Sequence, residues 1–362
     1  MLFVLISLIV FSIYSSIIIW VAFKFKKTSP LLFNKNELPP CSVLIPIRNE
    51  SDNIIQLVKL LNEQTKQCNG EIIVIDDYST DDSYIKLLEL KSLIDFKLIK
   101  NNGIGKKEAL QTGIECAEHE IIVAIDGDCT PSNNWLILSL QYFAQKELNM
   151  LCGLIQLNPN KSLFSQLQAA ESAAIVGISA VGLNAKRPTT CNGANLIFKK
   201  SVFSKIGGYQ QHLHLKSGDD DLLMHAFFQF DSHKVSYFIN KEAIVFTDVA
   251  KSFKSFVHQR SRWLSKSKSY IYPYNNWISI LIATQLLFYF SCIILSISWG
   301  NGYLLLGILV KYVSELFYAY RLNKILKFKW YLIFIIPVYL LYIPVLLIFK
   351  STAKTSWKER NI

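Results

Sequence analysis

The stretch EIIVAIDGDCT, residues 120–130, decides how the surrounding chain is read. Residues 121–125 are a short apolar run of the kind that makes a parallel strand covered on both faces, and the run stops at Asp126-Gly127-Asp128. Ligands of open α/β sheets bind outside the carboxyl ends of the strands. Two acids flanking a glycine there suit a hard divalent cation and let a diphosphate approach the backbone. The same three residues also make an ordinary tight turn, so their meaning rests on the neighbouring segments.

Upstream, strand and helix signals alternate. Residues 42–47 read as a strand ending in Pro46-Ile47-Arg48-Asn49-Glu50, and a helix follows with Ile54, Leu57, Val58 and Leu61 at helical spacing and Ser51 as its cap. Residues 71–75 read as the second strand, ending in Asp76-Asp77-Tyr78-Ser79, with Ser79 and Asp82 opening the next helix. Residues 96–100 are the third strand, and a helix opening at residues 105–110 leads to the fourth. This alternation predicts a parallel sheet with helices on both faces. Its polar strand ends, Arg48 to Glu50, Asp76, Asp77, Asp126 and Asp128, would converge on one crevice. No G-x-G-x-x-G follows the first strand and no P-loop signature occurs, which argues against a dinucleotide-binding protein, a kinase or a P-loop protein.

The chain of 362 residues is half hydrophobic yet carries a net charge of +11, a combination that reads as a membrane protein with a soluble part. Residues 1–23 are charge-free and long enough to cross a bilayer core of ~30 Å. Lys24, Lys26 and Lys27 come after this run rather than before it. The order predicts an anchor with its N-terminus outside and the next domain in the cytoplasm, not a cleaved signal peptide. Residues 24–40, with three prolines, read as a linker. The seven cysteines contain no C-x-x-C pair and suggest neither a zinc site nor a disulfide framework, which fits a reducing compartment. His212 and His214 lack a third ligand and read as polar surface residues.

PIRNE (46–50), DDYSTDDS (76–83), GKKEAL (105–110) and IDGD (125–128), in that order, resemble the nucleotide-binding half of the GT-A, family 2 glycosyltransferases. Three further motifs extend the resemblance to residue 263. Asn192-Gly193-Ala194-Asn195 with Phe203 and Gly207-Gly208-Tyr209 is similar to the acceptor-side elements. Gly218-Asp219-Asp220-Asp221 stands where the family has Glu-Asp, and Gln259-Arg260-Ser261-Arg262-Trp263 matches Q-x-x-R-W.

The resemblance implies an α/β GT-A domain at residues 41–270, built on a mostly parallel nucleotide-binding sheet. It assigns donor contacts to Pro46, Arg48, Asn49, Glu50, Asp76, Asp77, Lys106, Lys107, Asp126, Asp128, Gln259, Arg262 and Trp263. Asp76 and Asp77 would meet the uracil or ribose of a UDP-sugar, although an Asx turn serves Asp76 equally. Lys106 or Lys107 could reach the base or diphosphate, but either lysine taken singly reads rather as a solvated helix start. Asp128 and Asp126 would hold Mg²⁺ or Mn²⁺, and Gly193, Asn195 and Trp263 would lie on the acceptor side.

Transfer with inversion needs a carboxylate to take the acceptor's proton, and crowded acids raise one another's basicity. The family register puts this base on Asp220, with Asp219 beside it. A shift of one residue puts it on Asp221, and an acidic helix N-terminus is compatible with either.

Residues 162–183 are apolar with Glu171 as their only charge, reading as a helix against the membrane, under the acceptor site or in the core. Lys251, Lys254, Arg260, Arg262, Lys266 and Lys268 form a basic collar before the next apolar run. Residues 277–349 read as a C-terminal membrane region of two or three spans. Residues 277–299 are edged by tryptophans, residues 303–320 carry Lys311 and Glu315 placed to neutralise each other, and residues 331–349 contain Pro337 and Pro344. Three crossings would put the basic tail, residues 350–362, outside. Its Trp357 and Arg360 resemble a cytoplasmic element of membrane-bound relatives and favour two crossings plus a re-entrant segment.

The expected protein is a multi-pass enzyme of the cytoplasmic membrane with its catalytic domain facing the cytoplasm. It resembles ceramide glucosyltransferase-like and polysaccharide synthase-like enzymes. Such a protein moves a sugar from a nucleotide donor to a membrane lipid or growing glycan, with no nucleic-acid partner. The alternatives are a processive polysaccharide synthase subunit and a catalytically silent membrane scaffold.

Overall fold

The computed structural model describes residues 2–28, 38–210, 218–265, 269–300, 302–341, 356–357 and 360–361. Strand β1 (Cys41–Ile47) is buried along its whole length because its side chains alternate between two apolar layers. Val43, Ile45 and Ile47 face one layer, which holds α2 (Ile54–Thr65), α3 (Ser83–Lys91) and α5 (Trp135–Gln145). Leu44 faces the other, with α4 (Lys106–Cys116), α6 (Leu163–Asn184) and α8 (Asp221–Phe230). Each such aliphatic side chain contributes roughly 1.5–3 kcal/mol on burial.

The parallel strands are β1, β2 (Glu71–Asp76), β3 (Lys97–Lys100) and β4 (Ile121–Ala124), hydrogen-bonded in the order β3-β2-β1-β4. Beyond β4 the sheet continues through β8 (Leu196–Lys199), antiparallel to both its neighbours, then β6 (Met150–Gly153) and β9 (Val235–Phe238). A second sheet joins β5 (Thr130–Pro131), β10 (Val245–Asp248) and β7 (Ile155–Asn158). These later strands are four residues or fewer, too short to show a period in the sequence. The expected caps differ too. Asn53 and Asp82 sit at the N-caps of α2 and α3 without side-chain cap bonds, whereas Ser162 does cap α6 by accepting from the Ser165 amide.

Helix α7 (Lys200–Lys205) follows β8, and α9 (Phe253–Ser265) follows β10. Among the described residues, three helices are long and apolar enough to cross a membrane: α1 (Leu2–Lys24), α10 (Tyr274–Trp299), and the run Gly302–Asn323 containing α11 (Leu306–Asn323). Helix α1 lies along α11, where Phe11 packs into the space left open by Gly307. Lys311 Nζ pairs with Glu315 Oε2 at 2.6 Å, and Tyr14 Oη donates to Glu315 Oε1 at 2.6 Å.

The linker begins differently from expectation. Phe25 is buried in the domain core and the Thr28 amide donates to the Ile239 carbonyl at 2.7 Å, so the chain leaving α1 docks at once. Residues 29–37 lie outside the described residues.

After α11 the chain returns to the domain, with the Lys327 amide donating to Gln156 Oε1 at 2.8 Å. The described part of the proline-bearing segment, which ends at residue 341, is a 3₁₀ turn (Trp330–Phe334) followed by one turn of α12 (Ile336–Tyr339). Residues 342–355 lie outside the described residues, as do Lys266, Lys268, His212 and His214.

Candidate active site

A cavity of about 730 Å³ opens at the carboxyl ends of β1 and β4. Its lining includes Pro46, Glu50, Lys106, Lys107, Asp126, Asp128, Gly193, Asp219, Asp220, Asp221, Gln259, Arg262 and Trp263. Segments more than 200 residues apart in sequence thus meet on one crevice, as the strand ends predict.

At its centre lies Lys106, in the first turn of α4. Its ammonium sits 2.7 Å from Asp126 Oδ1 and 2.9 Å from Asp219 Oδ2. It is therefore not the solvated helix start that the sequence also allowed. Burial opposes its charge, but Asp126 and Asp219 hold the amine well above its ordinary range. Burial raises the Asp126 carboxyl, the Lys106 ammonium opposes that rise, and Asp128 adds to it. Two glycines make room for this cluster. A Cβ on Gly193 would meet Asp219 Oδ2 at 2.8 Å, and one on Gly127 would meet Ile47 Cγ2 at 2.9 Å.

The three consecutive acids have different duties. Asp219 serves Lys106. Asp221 is buried and accepts from the Cys191 amide at 2.8 Å and from Tyr270 Oη at 2.7 Å. Asp220 is the N-cap of α8, accepting from the Asp221 amide at 2.7 Å, and lines the cavity.

Four predicted donor residues instead join the loops that carry the wall. Arg48 donates to the Asp77 carbonyl at 2.8 Å and to the Tyr78 carbonyl. Asn49 accepts from the Thr80 amide at 2.8 Å, while its own amide donates to Ser79 Oγ. Asp76 accepts from the Ser79 amide at 3.2 Å, the Asx-turn alternative. Asp77 accepts from Asn101 Nδ2 at 2.7 Å and from the Gly105 amide at 3.1 Å, fixing the left-handed glycine (φ 95°) that starts α4. These bonds tie the ends of β1, β2 and β3 together and aim Lys106 into the cavity. Asn195 is likewise internal: it accepts from Trp135 Nε1 and donates to the Leu154 carbonyl, each at 2.9 Å, above the bare face of Gly153.

Arg260, between the named members of Q-x-x-R-W, was expected in the basic collar, but it is buried and reaches Glu171 on α6 at 2.6 Å instead. The lone charge at Glu171 in an apolar helix was the signal that it had a partner.

No group of three or more metal-ligating side chains occurs among the described residues. Asp126 and Asp128, two hard oxygen donors on the cavity wall, fit Mg²⁺ or Mn²⁺ if a bound diphosphate supplies the remaining ligands. The mostly parallel sheet with an acid-lined crevice at its strand ends is an α/β ligand-binding architecture. Residues 42–207 match the model of Glycosyl transferase family 2, and the domain has a GT-A-like α/β fold.

Two curated relatives are Glycosyltransferase AglE of Haloferax volcanii, 25% identical over 193 residues, and the poly-beta-1,6-N-acetyl-D-glucosamine synthase of Staphylococcus epidermidis, 25% identical over 247 residues. The matches cover 50% and 66% of this chain but 59% and 58% of those proteins. Among solved structures, mannosyltransferase PcManGT from Pyrobaculum calidifontis, in complex with GDP-Man and Mn²⁺, aligns over 99% of both chains with a TM-score of 0.58 at 15% identity, which is a likeness of fold.

Proposed function

We propose that this protein is a membrane-bound, inverting glycosyltransferase that moves a sugar from a nucleotide-diphosphate donor, a UDP-sugar, to a membrane-associated lipid acceptor. The observation that carries the reading is the one cavity lined by Lys106, Asp126 and Asp128 together with Asp220, Arg262 and Trp263. The metal, held by Asp126 and Asp128, would neutralise the donor diphosphate and its developing charge as the glycosidic bond breaks. Asp220 takes the proton of the acceptor hydroxyl, whose oxygen forms the new bond to the anomeric carbon as the bond to the nucleotide breaks on the opposite face. Arg262 and Lys106 receive the departing diphosphate through charge-assisted hydrogen bonds, and the Trp263 indole flanks the acceptor.

The lipid acceptor is supported by the wall that α6 gives the cavity: Ser172, Ile175, Val176 and Ser179 line it, and the same helix packs on α1 and α11. A cytoplasmic-facing domain follows from the basic residues after α1 and around α9. Processive polysaccharide synthesis is the second reading, favoured by the staphylococcal synthase among the relatives.

Purified protein in detergent, given UDP-sugars and GDP-mannose with Mn²⁺ or Mg²⁺ and a membrane lipid extract, is expected to form a glycolipid of inverted anomeric configuration. A long polymer would favour the second reading. No turnover of any donor would leave a silent scaffold.

A further inference from the structure

We propose that Arg260 is the positioning residue for the cavity-facing side of α9, setting the orientation of both Gln259 and Trp263 while Glu171 fixes it to the helix that borders the acceptor space. The inference deepens the transferase reading and rests on it for its kinetic consequence.

The guanidinium of Arg260 contacts Glu171 on α6 and three side chains of its own helix. It donates through Nη2 to Glu171 Oε2 at 2.6 Å, and both side chains are only 6% exposed. Through Nη1 it donates to Gln259 Oε1 at 3.0 Å, so it orients the amide of a residue that lines the cavity. Its plane lies 4.3 Å from the Trp263 ring centroid and 4.7 Å from that of Phe256. Glu171 also accepts from Tyr339 Oη at 3.1 Å, and Tyr339 packs with Phe164 and Phe256. The buried Arg260–Glu171 pair therefore joins α6, α9 and, through Glu171, the segment that returns after α11, next to two cavity-lining side chains.

A buried ion pair adds little net stability over an apolar pair of equal volume, so what this one contributes is geometry. Lysine lacks the planar fork needed to hold Gln259 and the Trp263 face together while pairing with Glu171.

The test uses the full chain in detergent and three variants: Arg260→Lys, Glu171→Gln, and the swap Glu171→Arg with Arg260→Glu. The first readout needs no activity. With 5-fluorotryptophan incorporated, the ¹⁹F resonance of Trp263, assigned by its loss in Trp263→Phe, is expected to shift in Arg260→Lys and in the swap. The second is kinetic: Arg260→Lys should lower transfer to the acceptor by roughly tenfold or more, with donor affinity changed less than about twofold. The swap should recover thermal stability lost in Glu171→Gln yet leave transfer low, because the guanidinium now sits on α6.

An unshifted Trp263 resonance in Arg260→Lys overturns the proposal. So does a swap that recovers transfer together with stability, since the pair would then only join helices. If the wild-type chain turned over no donor, the transferase reading would fall while the resonance would still decide the positioning role.

Discussion

At the scale of single residues, neighbours in sequence do different work. Asp219, Asp220 and Asp221 differ in what they face: an ammonium, the cavity and a helix-capping bond, or a buried amide and tyrosine. Asp220→Asn keeps the shape and removes the proposed base. Transfer should fall by about 10²-fold while donor affinity, measured by calorimetry, stays near that of the wild type. If Asp220→Asn keeps turnover and Asp221→Asn loses it, the base lies one residue on. Lys106 offers a second check, because its ammonium occupies the acid that would hold the metal. Lys106→Met should bind Mn²⁺ more tightly in the absence of nucleotide, by roughly tenfold or more, since a unit charge ~4 Å away costs several kcal/mol at the effective dielectric of such a site. It should bind the complete donor more weakly; unchanged Mn²⁺ affinity, read by electron paramagnetic resonance, would remove Lys106 from the metal's surroundings.

At the scale of elements, the sheet has a chemical edge and a structural edge. The carboxyl ends carry the cavity, while the amino ends are joined by Glu71. This carboxylate accepts from Ser42 Oγ at 2.6 Å and from the Glu118 amide at 2.7 Å, and pairs with Lys97 at 2.7 Å, so that β1, β2, β3 and the entry to β4 share one acid. Burial works against its charge, yet the Lys97, Ser42 and Glu118 contacts hold the carboxyl below its ordinary range. A depressed carboxylate stabilises the fold above its unfolded pKa, about 4.3, and that contribution fades as pH falls through the folded value. Glu71→Gln should therefore cost about 1 kcal/mol at pH 7, seen as a lower unfolding midpoint, and the difference from wild type should shrink below about pH 4. Donor binding should not change, because the site is at the other edge.

For the whole molecule, the long apolar helices and the domain form one continuous packing. Tyr14, Ile18 and Val21 of α1 and Phe25 just after it share a core cluster with Leu44 of the sheet and with Tyr318 and Leu322 of α11. The Lys327 contact to Gln156 puts the end of α11 on the domain's side, and Tyr339 at Glu171 keeps the following segment there. We therefore expect a cysteine at Ser356 to resist a membrane-impermeant reagent in sealed cells and to react after permeabilisation. Labelling from outside would require a further crossing after residue 341.

The sequence by itself determined the parallel half of the sheet, the three long apolar helices and the set of acids at the strand ends. Those features are local: a period of two or 3.6, a charge-free run of sufficient length, an acid following an apolar strand. Even the Lys311–Glu315 pair was legible, because four residues on a helix is one turn. Only the tertiary structure decided which acids face the cavity. Asp76 and Asp77 are carboxylates like Asp126 and Asp128, yet their bonds, like those of Arg48 and Asn49, join loops, because direction depends on backbone angles such as φ 55° at Asn49 and 54° at Tyr78. The antiparallel β8 and the meeting of Glu171 with Arg260 across 89 residues likewise follow from long-range packing, which no local pattern encodes.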